Sequence, residues 1–474
     1  MAEVRTLTDR KERLQVPPQT IPKQPPQERV ENWQEVYLGF DLASAMVEAH
    51  RCIQCPAAPC VKACPVHNDI PGAFWLLEHG DPIGAANVFR ETSTIPEMCG
   101  RLCPQESLCE GHCVVGKNNK PVQIGRLESF VTDTQRRTEG LPKPTVAPPT
   151  GKRVAVVGAG PAGLAVAESL TIEGHACTVY DEWPEPGGIL LYGIPNFKLM
   201  KTVLDDKIAF LRELGVEFIT GTRIGRDLSV EDLMRDGADA VFLGTGAPVG
   251  NTLKIPGEDL DGVVHATEFL VRGNLPRKKL PPSMRRPLPF AEKVVVIGGG
   301  DTSMDCVRTA RRLGASRVTC VYRRTETEMP GRVEERTHAK EEGARFEFLV
   351  VPLAVIDDGQ GHVAGVRFQR VALGEPDDSG RRRPEPIPGS EFEVEAELVI
   401  VAIGYKVDPE LAKLLPGVEL ETWGTLKVDP ETAMTGRPGV FAGGDNVNGA
   451  ELVVTALAGA KKAATAMKDY LSTN

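Results

Sequence analysis

Eight of the chain's 11 cysteines lie between Cys52 and Cys113, in two blocks. The first is Cys52-x2-Cys55-x4-Cys60-x3-Cys64-Pro65. The second is Cys99-x3-Cys103-Pro104, followed by Cys109 and Cys113 after gaps of five and three residues. In a reducing compartment such spacing reads as metal ligation rather than disulfides. Zinc sites use tighter pairs in twos, so four cysteines within 13 residues favour cubane iron–sulfur clusters. Two structural zincs are the alternative chemistry. In bacterial ferredoxin runs the cysteine before proline serves the other cluster. By that logic Cys52, Cys55 and Cys60 share a cluster with a remote cysteine, Cys113 by preference, while Cys64 joins Cys103 and Cys109. The remaining Cys177, Cys306 and Cys320 fall on strand or helix patterns, where a buried, inert thiol is expected.

A second kind of chemistry is carried by glycines. Gly158-x-Gly160-x-x-Gly163 follows the strand pattern KRVAVV and opens a helix, with Asp181 at the end of the next strand, 23 residues after Gly158. Glycine allows the tight turn, Gly160 lets the backbone approach a pyrophosphate, and the helix N-terminus offers free N–H groups to the anion. A carboxylate at Asp181 can accept ribose hydroxyls, which suits FAD. A second unit, Gly298-x-Gly300-x-x-Ser303, ends its next strand in Tyr322-Arg323-Arg324 instead of an acid. Guanidinium groups bind a 2′-phosphate, so this unit suits NADPH; pairing of the arginines with Glu326 and Glu328 is the alternative. Near the C-terminus, Gly444-Asp445 follows a strand and precedes a long helix pattern. There the acid can hold a ribityl hydroxyl and the helix N-terminus can offset negative charge on a reduced flavin; a simple helix N-cap is the alternative.

The elements that must position these groups follow from composition and periodicity. Residues 1–30 are proline-rich and polar and read as an extended arm. Residues 31–145 read as a helical domain for two [4Fe–4S] clusters. A proline-rich linker at 141–152 leads to strand–turn–helix–strand patterns. The two glycine units imply an α/β fold of two Rossmann-like domains: FAD-binding over 150–280 and 404–474, with NADP-binding over 288–403 inserted in it. AVFLGTGA (240–247) and ELVIVAIGY (397–405) read as the crossover strands. With 474 residues and a net charge of −10, neither nucleic acid nor an anionic membrane is an expected partner. The runs Arg381-Arg382-Arg383 and Lys461-Lys462 read as solvated faces. No apolar run reaches the ~20 residues of a membrane span, and the N-terminus lacks a signal-peptide core, so a cytoplasmic location is expected.

Taken together, the strings CPVHNDIP (64–71), CGRLCPQESLCEGHC (99–113), GAGPAGLA (158–165), PGGILLYGIPNFKL (186–199), GGGDTSMDCVRT (298–309), YRRTETEMPG (322–331) and FAGGD (441–445) resemble the small (beta) subunit of bacterial glutamate synthase and its close relatives. The relatives include the N-terminal half of dihydropyrimidine dehydrogenase. The resemblance implies FAD, NADPH and two [4Fe–4S] clusters, with hydride passing from NADPH to FAD and electrons leaving singly through the clusters. The implied partner is the large (alpha) FMN-containing subunit that forms glutamate from 2-oxoglutarate and glutamine. The alternative is a stand-alone NAD(P)H:ferredoxin or NAD(P)H:acceptor oxidoreductase. The resemblance also implies that Gly187 and Gly188 line the flavin ring, a surface loop being the alternative. It places a ligand at Glu128 in competition with Cys99, against the alternative of an exposed helix glutamate. No cysteine follows the initiator methionine and no C-x-x-C lies in the NADP unit, so neither a glutaminase nucleophile nor a thioredoxin-reductase-like dithiol is expected. Nor is a domain for pyrimidine or 2-oxoglutarate, and no side chain is assigned a catalytic role.

Overall fold

The computed structural model describes residues 9–376, 380–411 and 415–473. The cysteine-rich region forms short helices: Leu42–His50, Pro59–Ala63, Ile70–Glu78, Pro82–Arg90, Pro96–Leu102 and Ile124–Thr138. Their starts are set locally. Asp41, Asp69 and Asp81 accept from the backbone N–H of Ser44, Gly72 and Gly84, and proline opens four of the helices at a position that needs no donor. The cysteines sit in the loops and helix ends between these capped turns.

Two five-stranded parallel sheets follow. The first runs Val440–Ala442, Ala240–Leu243, Arg153–Val157, Ala176–Asp181, Glu217–Thr220. The second runs Val263–His265, Leu398–Val401, Lys293–Ile297, Arg317–Tyr322, Arg345–Phe348. In both, the strand entering the glycine turn is central and buried on both faces, which explains its continuous apolar run. Val263–His265 and the helix Ala266–Asn274 belong to the second sheet and its core, although they lie within the span 150–280 assigned by sequence to the flavin unit. The two connections between the units run side by side: Tyr405–Lys406 pairs antiparallel with Val249–Gly250. A three-stranded antiparallel sheet, Val350–Asp357, Val363–Pro376 and Arg382–Glu395, extends the second unit. Among the described residues no helix is long and apolar enough to cross a membrane.

Of the arm expected over residues 1–30, residues 1–8 lie outside the described residues; from residue 9 onward it is extended over much of its length but is neither free of structure nor loose. It carries the helical turns Arg10–Arg13 and Pro26–Arg29. Arg13 is buried against Glu78 at 2.7 Å, and Arg29 is buried between Glu341 at 2.7 Å and Glu342 at 2.8 Å. Ile21 also joins the apolar core of the helical domain, and the Arg29–Glu342 pair ties the segment to a residue 313 positions away; removing one partner of such a buried pair typically costs about 3–5 kcal/mol.

Candidate functional site

The flavin-type turn is built from backbone contacts that only glycine permits. Gly158 has φ +100°, and a Cβ there would lie 2.3 Å from the Gly244 carbonyl oxygen. A Cβ on Gly163 would lie 1.8 Å from the Gly158 oxygen, so this glycine seats the helix Pro161–Ile172 on the sheet. Gly160 differs: a Cβ would meet only Gly188 Cα, at 3.9 Å, and would otherwise enter the cavity. Asp181 accepts from the N–H of Ala159 at 2.7 Å and of Trp183 at 2.9 Å. Each carboxylate oxygen keeps a second lone pair, and Asp181 lines the cavity, so it can set the turn and still meet a ribose. Burial pushes its carboxyl up to about 6.

Of the pair expected to line the ring, Gly188 reaches the cavity and Gly187 packs away from it. Gly187 donates to the Ala159 oxygen at 2.9 Å, and its side-chain direction is filled by Leu204 and Leu191. Trp183 and Tyr192, edge to face at 4.3 Å, add an aromatic wall that the sequence did not reveal. Gly444 and Asp445 lie across the same cavity, and burial pushes Asp445 up to about 6. The long helix starts at Val453, after a separate helical turn at Asp445–Asn448, rather than directly after the glycine turn. Leu452, Val453 and Ala456 bring its first turn to the cavity wall.

The second turn repeats this logic. Gly298 packs against the Ala402 carbonyl, while Gly300 has open space beside it. Ser303 is buried and donates to the Ala402 oxygen at 3.3 Å, away from the cavity lining. It therefore packs helix on strand and does not line the site. Arg323 and Arg324 line the cavity together with Arg381. Arg324 Nε donates to the Arg382 carbonyl at 2.8 Å, so the 381–383 run begins in the site and is not merely a solvated face. Glu326 pairs with Lys340 at 2.6 Å, and Glu328 accepts from the Thr325 N–H and hydroxyl. Both glycine turns open on one cavity of about 1000 Å³, which Leu102 of the cysteine-rich domain also lines.

The cysteines gather as two groups drawn from both blocks, and none forms a disulfide. Burial and the neighbouring Cys60, Cys113 and Cys55 raise the Cys52 thiol; burial, Cys55 and Cys113 push Cys60 up to about 12. Cys64, Cys99, Cys103, Cys109 and Glu128 line a second, small cavity together with Asn68 and Val454. Glu128 is not an exposed helix residue: it is 6% exposed, and its carboxyl is held well above the usual range by burial and by Cys99. Its oxygen accepts from Asn68 at 3.2 Å. Cys64, Cys103 and Cys109, with both Cys99 and Glu128 beside them, surround a gap, an arrangement that fits a cubane, whose ligands stand on separate irons. Cys177, Cys306 and Cys320 are buried apart from both groups.

Residues 29–140 match the family model described as dihydropyrimidine dehydrogenase domain II, 4Fe-4S cluster, and residues 152–460 match pyridine nucleotide-disulphide oxidoreductase. The chain is 42% identical over 454 residues to the glutamate synthase [NADPH] small chain of Halomonas elongata, covering 95% of each. It belongs to the glutamate synthase small-chain family. The Escherichia coli small chain is 42% identical over 458 residues, covering 95% of this chain and 96% of that one. The family also reaches the NADPH-Fe(3+) oxidoreductase subunit beta of Geobacter sulfurreducens, 39% identical over 89% of this chain and 65% of that protein. The two-sheet part shares its fold with Mycobacterium tuberculosis FprA (TM-score 0.57, 20% identity, 69% of this chain and 85% of that one). The two matched models make the chain an oxidoreductase of the pyridine-nucleotide class with a 4Fe–4S domain.

Proposed function

We propose that the chain is the electron-input subunit of a glutamate synthase: it oxidises NADPH at an FAD and delivers electrons to a large FMN-containing subunit that forms glutamate. The observation that carries this reading is the single cavity shared by both glycine turns and bordered by Leu102, the residue before Cys103. FAD supplies the exchange between a two-electron donor and one-electron clusters. The chain's own residues bind and orient. Gly158, Gly160, Asp181, Gly188, Gly444 and Asp445 receive the flavin nucleotide. Gly298, Gly300, Arg323 and Arg324 receive NADPH, and Gly163, Gly187 and Ser303 hold the turns in shape. Cys64, Cys103 and Cys109, with Cys99 or Glu128, take the flavin-proximal [4Fe–4S] cluster; Cys52, Cys55, Cys60 and Cys113 take the distal one. The division into a cluster domain (31–145), an FAD domain (150–280 and 404–474) and an NADP domain (288–403) is part of this proposal, with Val263–Asn274 moved to the last.

Mixing the holoprotein with a large glutamate synthase subunit is expected to give NADPH-dependent glutamate formation that neither component gives alone. No glutamate, with ready reduction of ferredoxin, would establish the second reading, a stand-alone NAD(P)H:acceptor oxidoreductase. The relative named NADPH-Fe(3+) oxidoreductase subunit beta supports an acceptor other than a glutamate synthase subunit.

Cofactor choice has its own test. Arg323→Glu replaces an exposed guanidinium at the cavity wall with a repelling charge. A charge-assisted phosphate contact is worth about 1.5–3 kcal/mol, so KM for NADPH should rise on the order of 10- to 100-fold while KM for NADH changes little. Equal changes in both would mean that Arg323 does not read the 2′-phosphate.

A further inference from the structure

Arg332 touches both the nucleotide turn and the cluster domain, and neither glycine motif nor cysteine pattern includes it. It is 4% exposed. Its backbone N–H and Nε donate to the two carboxylate oxygens of Asp301, at 2.9 and 3.0 Å. Asp301 opens the helix that follows Gly300 and lines the large cavity. From the same guanidinium, Nη1 donates to the carbonyls of Arg101 at 3.2 Å and Cys103 at 3.3 Å, and Nη2 reaches Glu335 at 3.5 Å. The backbone around it is pressed into place from both sides. Gly331 donates to the Gly299 oxygen at 3.0 Å, and a Cβ on Gly331 would stand 3.0 Å from that oxygen and 3.1 Å from the Gly300 carbonyl carbon. On the other side the Val333 N–H donates to Glu106 at 2.7 Å.

Two physical consequences follow. A bare carboxylate at Asp301 would repel phosphates held at that helix N-terminus, and the guanidinium neutralises it. On the far side, a cation and an N–H donor against the peptide of a cluster ligand favour the reduced cluster, because reduction adds negative charge there; charge and hydrogen bonding near a cluster set its potential.

We propose that Arg332 couples the two sites: it shields the dinucleotide phosphates from Asp301 and, through the Cys103 peptide, raises the potential of the flavin-proximal cluster. The proposal rests on Cys64, Cys103 and Cys109 holding that cluster. An anionic dinucleotide drawing on the Asp301–Arg332 pair lowers the cluster's potential. By linkage, reduction of the cluster weakens dinucleotide binding by the same factor.

The test is a redox titration of the holoprotein followed by electron paramagnetic resonance. Arg332→Gln should retain iron and flavin yet lower one cluster's midpoint. At the wild-type midpoint its reduced-to-oxidised ratio should fall on the order of tenfold, about 59 mV for a one-electron couple. KM for NADPH should rise on the order of tenfold, and adding Asp301→Asn should restore KM while the midpoint stays below wild type. A redox-inert NADP+ analogue should lower the wild-type midpoint and leave that of the variant unmoved. Unchanged midpoints at full iron content overturn the proposal, as does an analogue effect equal in both proteins. If Arg332→Gln does not fold, Arg332→Lys, which keeps the charge but lacks the fork, should show a smaller fall in the same midpoint; an unmoved midpoint there also overturns it. Absence of any cluster signal from the wild type would overturn the cluster assignment instead.

Discussion

Replacing Gly160 with valine is expected to give a folded chain that purifies without flavin and does not oxidise NADPH. The backbone at Gly160 has φ −79°, which any residue adopts. A Cβ would meet nothing of the protein closer than Gly188 Cα at 3.9 Å, so the fold tolerates the side chain. Its methyl groups would instead occupy the space in front of the Pro161–Ile172 helix N-terminus, where a pyrophosphate must lie against free N–H groups. The same change at Gly300, with φ −86° and open space beside it, should spare the flavin and abolish its reduction by NADPH. Far-UV circular dichroism, visible absorbance and anaerobic bleaching by NADPH separate the two outcomes. Alanine at Gly158 or Gly163 should behave differently, reducing the yield of folded protein, because a Cβ there collides with backbone at 2.3 and 1.8 Å. Normal flavin content in Gly160→Val would sink the assignment of the first turn.

The second large effect concerns the flavin-proximal group. Cys103→Ser should remove roughly half of the bound iron, one cubane of two, and stop reduction of a protein acceptor. NADPH should still be oxidised with a small artificial acceptor that takes electrons from the flavin. The same measurement decides between Cys99 and Glu128. Cys99 is a buried thiol beside the Ser93 hydroxyl at 3.9 Å, and a buried cysteine packs as a small apolar side chain without needing a metal partner. Glu128 is a buried carboxyl among thiols whose side chain accepts from the Asn68 amide. A carboxylate there is costly unless it meets a cation, and cluster iron supplies one. Glu128→Ala is therefore expected to lose iron and Cys99→Ala to retain it; the reverse pattern would make Cys99 the ligand.

The sequence was most informative where chemistry depends on near neighbours. Gly158, Gly160 and Asp181 were legible because a strand, a turn and a helix start are set within a few residues. The nearness of Cys113 to Cys52 and Cys60 fits the pattern in which the cysteine before proline, Cys64, leaves a place for a remote cysteine; the ligand sets themselves belong to the proposal. Other features left no local trace. Gly187 and Gly188 are identical in type and adjacent, yet opposite in facing, and that is decided by Leu204 packing from a later helix. Val263–His265 has too few residues to state its sheet; pairing with Leu398–Val401 assigns it. Trp183 and Tyr192 carry no sequence signal of their own, and only the fold brings them edge to face.

The two cysteine blocks and the two glycine turns, with the chemistry they imply, were thus determined by the sequence alone, since each is a short-range pattern of residue types. The tertiary structure decided which turn glycines face the cavity, that Arg381 joins Arg323 and Arg324, that Glu128 is buried among the thiols, and that Arg332 spans from Asp301 to Cys103. These contacts join residues from tens to more than 200 positions apart, and their partners are chosen by packing and by satisfaction of buried polar groups rather than by any local preference of the chain.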